Sequence, residues 1–269
     1  MNKIKCLDHG FVKLIDHMGD DQAVVQAARV SYGDGTKTAT KDRGLIRYLM
    51  RHRHTSPFEM VSFKFHCKMP IFIARQWVRH RTASINEISG RYSILPEEQY
   101  VPEKNHLAYQ STDNKQGRSD ENIPQDVLNK TIDSINDGFK AANRAYHSML
   151  DDNIAREIAR ISLPLSQYTE WYWKMDLHNL LHFLQLRLHA HAQYEIRVFA
   201  EAIMELIKPI VPISYEAFDD YILNSHTFSG AEMSILRGFL KERLHELPTE
   251  HPSISKRELQ SFKRILEDG

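Results

Sequence analysis

The run Val61–Met69, VSFKFHCKM, constrains the fold of this chain more than any other segment. Val61, Phe63, Phe65, Cys67 and Met69 alternate with Ser62, Lys64, His66 and Lys68. Successive side chains of a strand point to opposite faces, so this period of two predicts a strand with one buried and one wet face. Such a strand needs neighbours in a sheet and a helical layer over its apolar side. Pro70 follows at once. Its fixed φ and missing N–H suit a first helical turn, so PIFIARQWVRHR is predicted to leave the strand as a helix. On that helix Arg75 and Arg79 are i,i+4 neighbours, and Gln76 lies three before Arg79.

The segment before it, CLDHGFVKLIDHM, is β-prone. GDDQAVVQAARVSY reads as a helix with Asp20 or Asp21 near its cap, and Leu45, Ile46, Leu49 and Met50 mark another. GRYSIL is expected to return as a strand. Residues 103–124 are polar and read as an exposed, mobile insertion. Ile132, Ile135, Phe139, Ala142, Tyr146 and Met149 then mark a long helix, and Ile154, Ile158 and Ile161 a further one ending near Pro164. LSQYTEWYWKMD is aromatic and β-prone, and Trp171 and Trp173 are expected in a core or interface. Asp176 can cap the next helix, whose apolar face carries Leu177, Leu180, Leu181, Leu184 and Leu188. Helical segments fill 190–208, 214–224 and 229–268. The expectation is an α+β fold, with a mixed sheet and several long helices, in a single catalytic domain over 1–269.

Lys+Arg and Asp+Glu are both 35, so no global field favours nucleic acid. The two cysteines, Cys6 and Cys67, give no disulfide framework and fit a reducing compartment. The N-terminus has no apolar run of the signal-peptide kind, and no run is long enough to span a membrane. These features predict a cytoplasmic protein with no nucleic-acid or membrane partner.

The stretch RHRTASINEISGRY, Arg79–Tyr92, packs Arg79, Arg81 and Arg91 with Ser84, Ser89 and Gly90 around Glu87. A guanidinium matches a phosphate with parallel N–H donors, and glycine lets backbone approach a ligand. Glu87 would repel a bare phosphate, so it must meet a ring N–H, a ribose hydroxyl or an arginine. A nucleotide offers all these groups. No GxGxxG or Walker sequence occurs. A solvated helix end with local salt bridges is the plain alternative. His178 and His182, i,i+4 on one predicted helix, raise a metal-dependent hydrolase as a rival, but no HExxH accompanies them and no metal is assigned. An RNA- or nucleotide-binding module using the arginines is the other rival, and neither an RNP nor a KH pattern supports it.

RHRTASINEISGRY resembles the signature of the flavin-dependent thymidylate synthases, R-H-R-x-x-S-x-N-E-x-S-x-R, at every fixed position: Arg79, His80, Arg81, Ser84, Asn86, Glu87, Ser89 and Arg91. The resemblance extends to HTSPFE (54–59), ARQWVRHR (74–81), AREIARISLPL (155–165) and LQLRLHAHAQYEI (184–196), covering about residues 1–220 and leaving a C-terminal helical extension of about 225–269.

The resemblance implies conversion of dUMP to dTMP with methylene-tetrahydrofolate, FAD and NADPH, in an α+β protomer assembled as a homotetramer with shared active sites. It implies dUMP contacts from Gln76, Arg79, Glu87, Ile88, Ser89, Gly90, Arg91, Arg160 and Arg187, with Arg187 as the catalytic guanidinium beside the uracil. It implies FAD contacts from Ser56, Glu59, Arg79, His80, Arg81, Glu87, Asp176, His178, His182 and His191. At 176–182, DLHNLLH departs from family members that carry Asn and Arg where Asp176 and His178 stand. No cysteine lies in a matched motif.

Overall fold

The structure, a computed structural model, describes residues 2–30, 39–112 and 117–267, and of 39–41 the backbone alone. The chain divides into two compact units, Met1–Leu223 and Asn224–Gly269. In the first, β1 (Lys3–Cys6) and β2 (Gly10–Met18) form a hairpin, followed by α1 (Asp21–Arg29), α2 (Ala39–Arg51) and the single turn α3 (Ser56–Glu59). Then come β3 (Ser62–Pro70), α4 (Ile71–Trp77), β4 (Ser84–Glu87), α5 (Gln125–Asp151), α6 (Arg156–Ala159), β5 (Tyr168–Asp176), α7 (Leu177–Arg187), α8 (Tyr194–Ile207) and α9 (Pro212–Phe218).

The strands form one sheet in the order β1-β2-β3-β5-β4. Every described pairing is antiparallel, so the α+β class holds while the expected mixture of strand directions is not found. The reason lies in the connections. Parallel neighbours need a crossover that returns the chain to the same end of the sheet. Here β2 enters β3, and β3 meets β5, from opposite ends, with Ser62 opposite Asp176 and Pro70 opposite Tyr168.

The alternation read at 61–69 is realised. Phe63, Phe65, Cys67 and Met69 are fully buried, and on β5 Thr169, Trp171, Trp173 and Met175 join them. Helices α1, α4, α7 and α8 cover this face with Val24, Trp77, Leu180, Phe183 and Phe199. Tyr172, between the two buried tryptophans, is exposed and stacks on His66. The wet face carries polar pairs such as Lys64 with Asp16 at 3.2 Å and the His66 ring with Glu170 at 2.9 Å.

Asp20 caps α1, accepting from the N–H groups of Gln22 and Ala23. Its buried neighbour Asp21 instead accepts from Ile213 N–H, Ser214 N–H and the Ser214 hydroxyl at 2.6–2.9 Å, which satisfies the first turn of α9. Asp176 caps α7 through Asn179 N–H at 2.9 Å.

Three local expectations are corrected. GRYSIL is not a strand, because Tyr92 and Ser93 N–H close onto Ser89 C=O and turn the chain; the strand lies earlier, inside the signature, as β4. Ile154, Ile158 and Ile161 do not face a core. They sit on the short α6 and its flanks, 44–75% exposed. The described part of 103–124 is pinned rather than free, through Arg118 to the buried Glu195 at 2.8 Å and His106 stacked on Tyr194; residues 113–116 lie outside the described set.

In the second unit, the helical segment expected over 229–268 is two helices, α10 (Gly230–Leu240) and α11 (Lys256–Glu267). Pro248 and Pro252 interrupt the stretch between them. Ser229 with Glu232 and Ser255 with Glu258 form capping boxes at the two N-termini.

Candidate active site

The end of α4 is fixed by aromatic packing. Trp77 is fully buried, with its ring 5.1–5.5 Å from Trp171, Trp173 and Phe183. The helix therefore stops at a set place above the sheet, and the next turn delivers His80 edge-on to Phe183 on α7. Arg187, at the last turn of α7, reaches across. Its Nε–H donates to His80 Nε2 at 3.1 Å, and its Nη2 donates to the Gln76 backbone carbonyl at 3.3 Å. His80 accepts at Nε2, so its neutral form carries the proton on Nδ1. Burial, then the charges of Arg187 and His182, hold its pKa down at about 4. Burial also lowers the pKa of Arg187.

A second group forms around the signature strand. Edge strand β4 pairs with β5, bringing Glu87 opposite Trp171, and Ile88 N–H donates to Glu170 C=O. The buried Thr169 hydroxyl donates to Glu87 Oε1 at 2.6 Å. Ser89 Oγ accepts from Arg91 N–H in the turn that follows. Gly90 is buried where Arg160 crosses: a Cβ there would lie 3.1 Å from Arg160 Cδ and from Leu95 Cδ1. Arg91 pairs with Glu157 at 3.0 Å, and Arg156 donates to the Tyr92 carbonyl at 2.7 Å, tying α6 to the turn.

The third group lies at one end of the sheet. Ser62 opens β3 opposite Asp176, which closes β5, and Leu177 N–H donates to Val61 C=O at 2.7 Å. Ser56 and Glu59, on α3 just before β3, thus sit at the same sheet end as Asp176 and His178 at the start of α7, with His182 one turn further along that helix. Both Asp176 oxygens accept from Asn179, one from its backbone N–H and the other from its side-chain amide. The His182 ring lies 6.3 Å from that of His80, which joins this group to the first. His191 lies beyond α7, its ring stacked on His189 at 5.0 Å. Among the described residues no cluster of three His, Cys, Asp or Glu is arranged to hold a metal ion.

Charge balance separates these residues from an ordinary surface. Arg79, Arg81 and Arg160 are exposed and, among the described residues, make no ion pair and no side-chain hydrogen bond. Exposed cations without carboxylate partners, one of them laid against the buried Gly90, are suited to an external anion.

Sequence reasoning missed three supporting residues: Thr169, Gln193 and Glu195. Thr169 lies in an aromatic β-prone run with nothing to mark it. Glu195 falls inside a matched motif, but only its burial beside Arg118 distinguishes it from a surface carboxylate.

Residues 13–213 match the family model described as thymidylate synthase complementing protein. The chain belongs to the flavin-dependent thymidylate synthase family. It is 51% identical over 267 residues to the flavin-dependent thymidylate synthase of Treponema denticola, covering 99% of this chain and 98% of that one. It is 49% identical over 275 residues to that of Rickettsia bellii, covering 98% and 93%. Among solved structures, a UMP/dUMP methylase PolB from Streptomyces cacaoi, bound with 5-Br dUMP, superposes with a TM-score of 0.74 at 36% identity, covering 83% of this chain and all of that one. The family match stops at the start of α9, and the second unit lies outside it.

Proposed function

We propose that the chain is a flavin-dependent thymidylate synthase, an enzyme that converts dUMP to dTMP with methylene-tetrahydrofolate as carbon donor and NADPH, through FAD, as hydride source. The observation that carries this reading is the complete signature, running from the turn after α4 through β4 to Arg91, with Arg160 laid against Gly90 and Arg79, Arg81 and Arg160 left without an internal anion. In this reading Arg79, Ser89, Gly90, Arg91 and Arg160 take the dUMP phosphate and sugar. Glu87, oriented by Thr169, accepts from a hydroxyl or ring N–H, and Ile88 and Gln76 complete the substrate wall.

The donor set also fits a dinucleotide. Arg79 and Arg81 can neutralise a pyrophosphate, while Ser56, Glu59, His80, Asp176, His178, His182 and His191 offer a hydroxyl, carboxylates and imidazoles for its sugar, flavin and adenine. Asp176 serves its helix cap as well, so His178 is the more available of that pair. FAD, when bound, supplies hydride transfer.

Arg187 is assigned the catalytic role. Half-buried beside the uracil carbonyls, its guanidinium favours the electron-rich ring whose C5 must act as nucleophile. His80 contributes an acceptor rather than a second cation there, which keeps Arg187 oriented without repelling it. A thiolate is not drawn on. Cys6 and Cys67 are buried in the core, and burial pushes Cys6 up to about 12 and Cys67 well above the ordinary thiol range.

The assembly proposed is a homotetramer with sites shared between copies. Tyr92, Ile94, Ile158, Ile161 and Leu165 present exposed apolar surface beside the signature turn, and the apolar stripe of α5 is only half covered. A second copy of this chain would cover that surface and bring its own side chains to the anion site. The first unit carries the catalysis in this reading, and the reduced cysteines suit the cytoplasm. No helix among the described residues is long and apolar enough to cross a membrane.

A visible absorbance spectrum tests the proposal. The purified chain should show bound oxidised flavin, NADPH should bleach it, and dUMP should accelerate the bleaching. A colourless protein that binds no added FAD would overturn the reading.

A further inference from the structure

Gln76 belongs to the proposed dUMP wall, and its side chain is held by a chain of hydrogen bonds that ends on a buried carboxylate. Its Nε2 donates to Gln193 Oε1. Gln193 Nε2 in turn donates to Glu195 Oε2 at 2.8 Å. Glu195 lies in the first turn of α8, 3% exposed. Its oxygens also accept from Arg118 Nη2, 2.8 Å to each, and Oε1 accepts from the Tyr100 hydroxyl at 3.1 Å.

The direction of this chain is set at its buried end. An ionised carboxylate can only accept, so the amide nitrogen of Gln193 must face it. The amide oxygen of Gln193 then faces Gln76 and can only accept, so the Gln76 amide must turn its nitrogen inward. Although burial opposes ionisation of Glu195, the Arg118 bonds win and hold its carboxyl below the usual range. An amide flips at little cost when nothing discriminates its two ends. Here a flip at Gln193 would set its amide oxygen against the Glu195 carboxylate, acceptor to acceptor, and its N–H groups against those of Gln76, donor to donor.

We propose that Glu195 is a positioning residue for substrate binding, fixing the orientation of the Gln76 amide through Gln193 and joining it to the 103–124 segment through Arg118. The inference rests on the reading of Gln76 as a dUMP contact. Glu195 touches no substrate itself. It removes one of two amide orientations before dUMP arrives, so its loss weakens binding rather than the chemical step.

A double-mutant cycle on the FAD-loaded full chain tests this, reading the dUMP dissociation constant by calorimetry and kcat and KM by dTMP formation. Glu195→Gln should raise the dUMP dissociation constant and KM about three- to tenfold, with a smaller change in kcat. Gln76→Ala should raise them comparably, and the double variant should add little to either single one. Should Glu195→Gln fail to fold, Gln193→Ala cuts the same chain while leaving Glu195 with Arg118 and Tyr100, and the same coupling is expected. Additive effects of Glu195→Gln, or of Gln193→Ala, with Gln76→Ala would overturn the positioning role alone. Unchanged dUMP affinity in Gln76→Ala would remove Gln76 from the substrate wall and the inference with it.

Discussion

Arg187 Nε donates to His80 Nε2 across the 3.1 Å gap between the ends of α7 and the α4 turn. Two nominally basic side chains thus meet as donor and acceptor, which requires the imidazole to be neutral. The contact links a residue of the signature to one 107 positions later. It follows from Trp77 and Phe183, whose packing decides where both helices end.

Arg187→Ala should abolish dTMP formation while the purified protein still binds FAD, because the guanidinium is assigned to the uracil and not to the flavin. Arg187→Lys should also lose most turnover. An ammonium keeps the charge but not the fixed fork that bonds His80 and the Gln76 carbonyl together. Single-turnover assays with flavin absorbance as the control check both. Wild-type turnover in Arg187→Ala would remove its catalytic assignment.

His80 makes the stability of the fold pH-dependent. Its pKa is about 4 in the fold against an ordinary 6.5. Between these values the unfolded chain binds a proton that the folded chain does not, so unfolding gains as pH falls. The contribution of His80 is complete above about pH 6.5 and is lost progressively toward pH 4. Replacing His80 by Asn should flatten the curve of unfolding free energy against pH in this window, by at most about 3 kcal/mol. Urea titrations at several pH values measure it.

Thr169→Val keeps side-chain shape but removes the hydroxyl that orients Glu87. A loss of about 1 kcal/mol in stability is expected. The dUMP dissociation constant should rise several-fold, measured by calorimetry on the flavin-loaded protein. Stability loss without any change in dUMP affinity would make Thr169 a packing residue only.

Gly90→Ala places a methyl 3.1 Å from Arg160 Cδ and Leu95 Cδ1. One of them must give way. Because the cost falls on the anion site rather than on the core, the variant should fold with a thermal midpoint close to wild type. It should bind dUMP at least about tenfold more weakly, the loss of about one charged hydrogen bond. Wild-type dUMP affinity would show that Arg160 is not held by this close approach.

Much of the frame was legible because it follows from periodicity. The alternation at 61–69, the Pro70 start of α4 and the Asp176 cap are local effects, and all three are present. The strand inside the signature was not legible. SINE has no apolar alternation to announce it, and β4 exists because β5 offers it an edge. The isoleucines of 154–161 have helical spacing, yet that spacing says nothing about what covers them. Asp21 was placed near the cap of its own helix, whereas it satisfies α9, 192 residues later in the chain. Such long-range partners, like those of Glu195, carry no local signal. The signature arginines were legible as a group; that Arg79 and Arg81 lack an internal partner while Arg91 pairs with Glu157 needed the fold.

The most direct measurement is product formation. The purified chain, given dUMP, methylene-tetrahydrofolate and NADPH with FAD, should release dTMP resolved by chromatography, and omission of any one of the first three should stop it. A folded, flavin-loaded protein that makes no dTMP with all of them present would contradict the account.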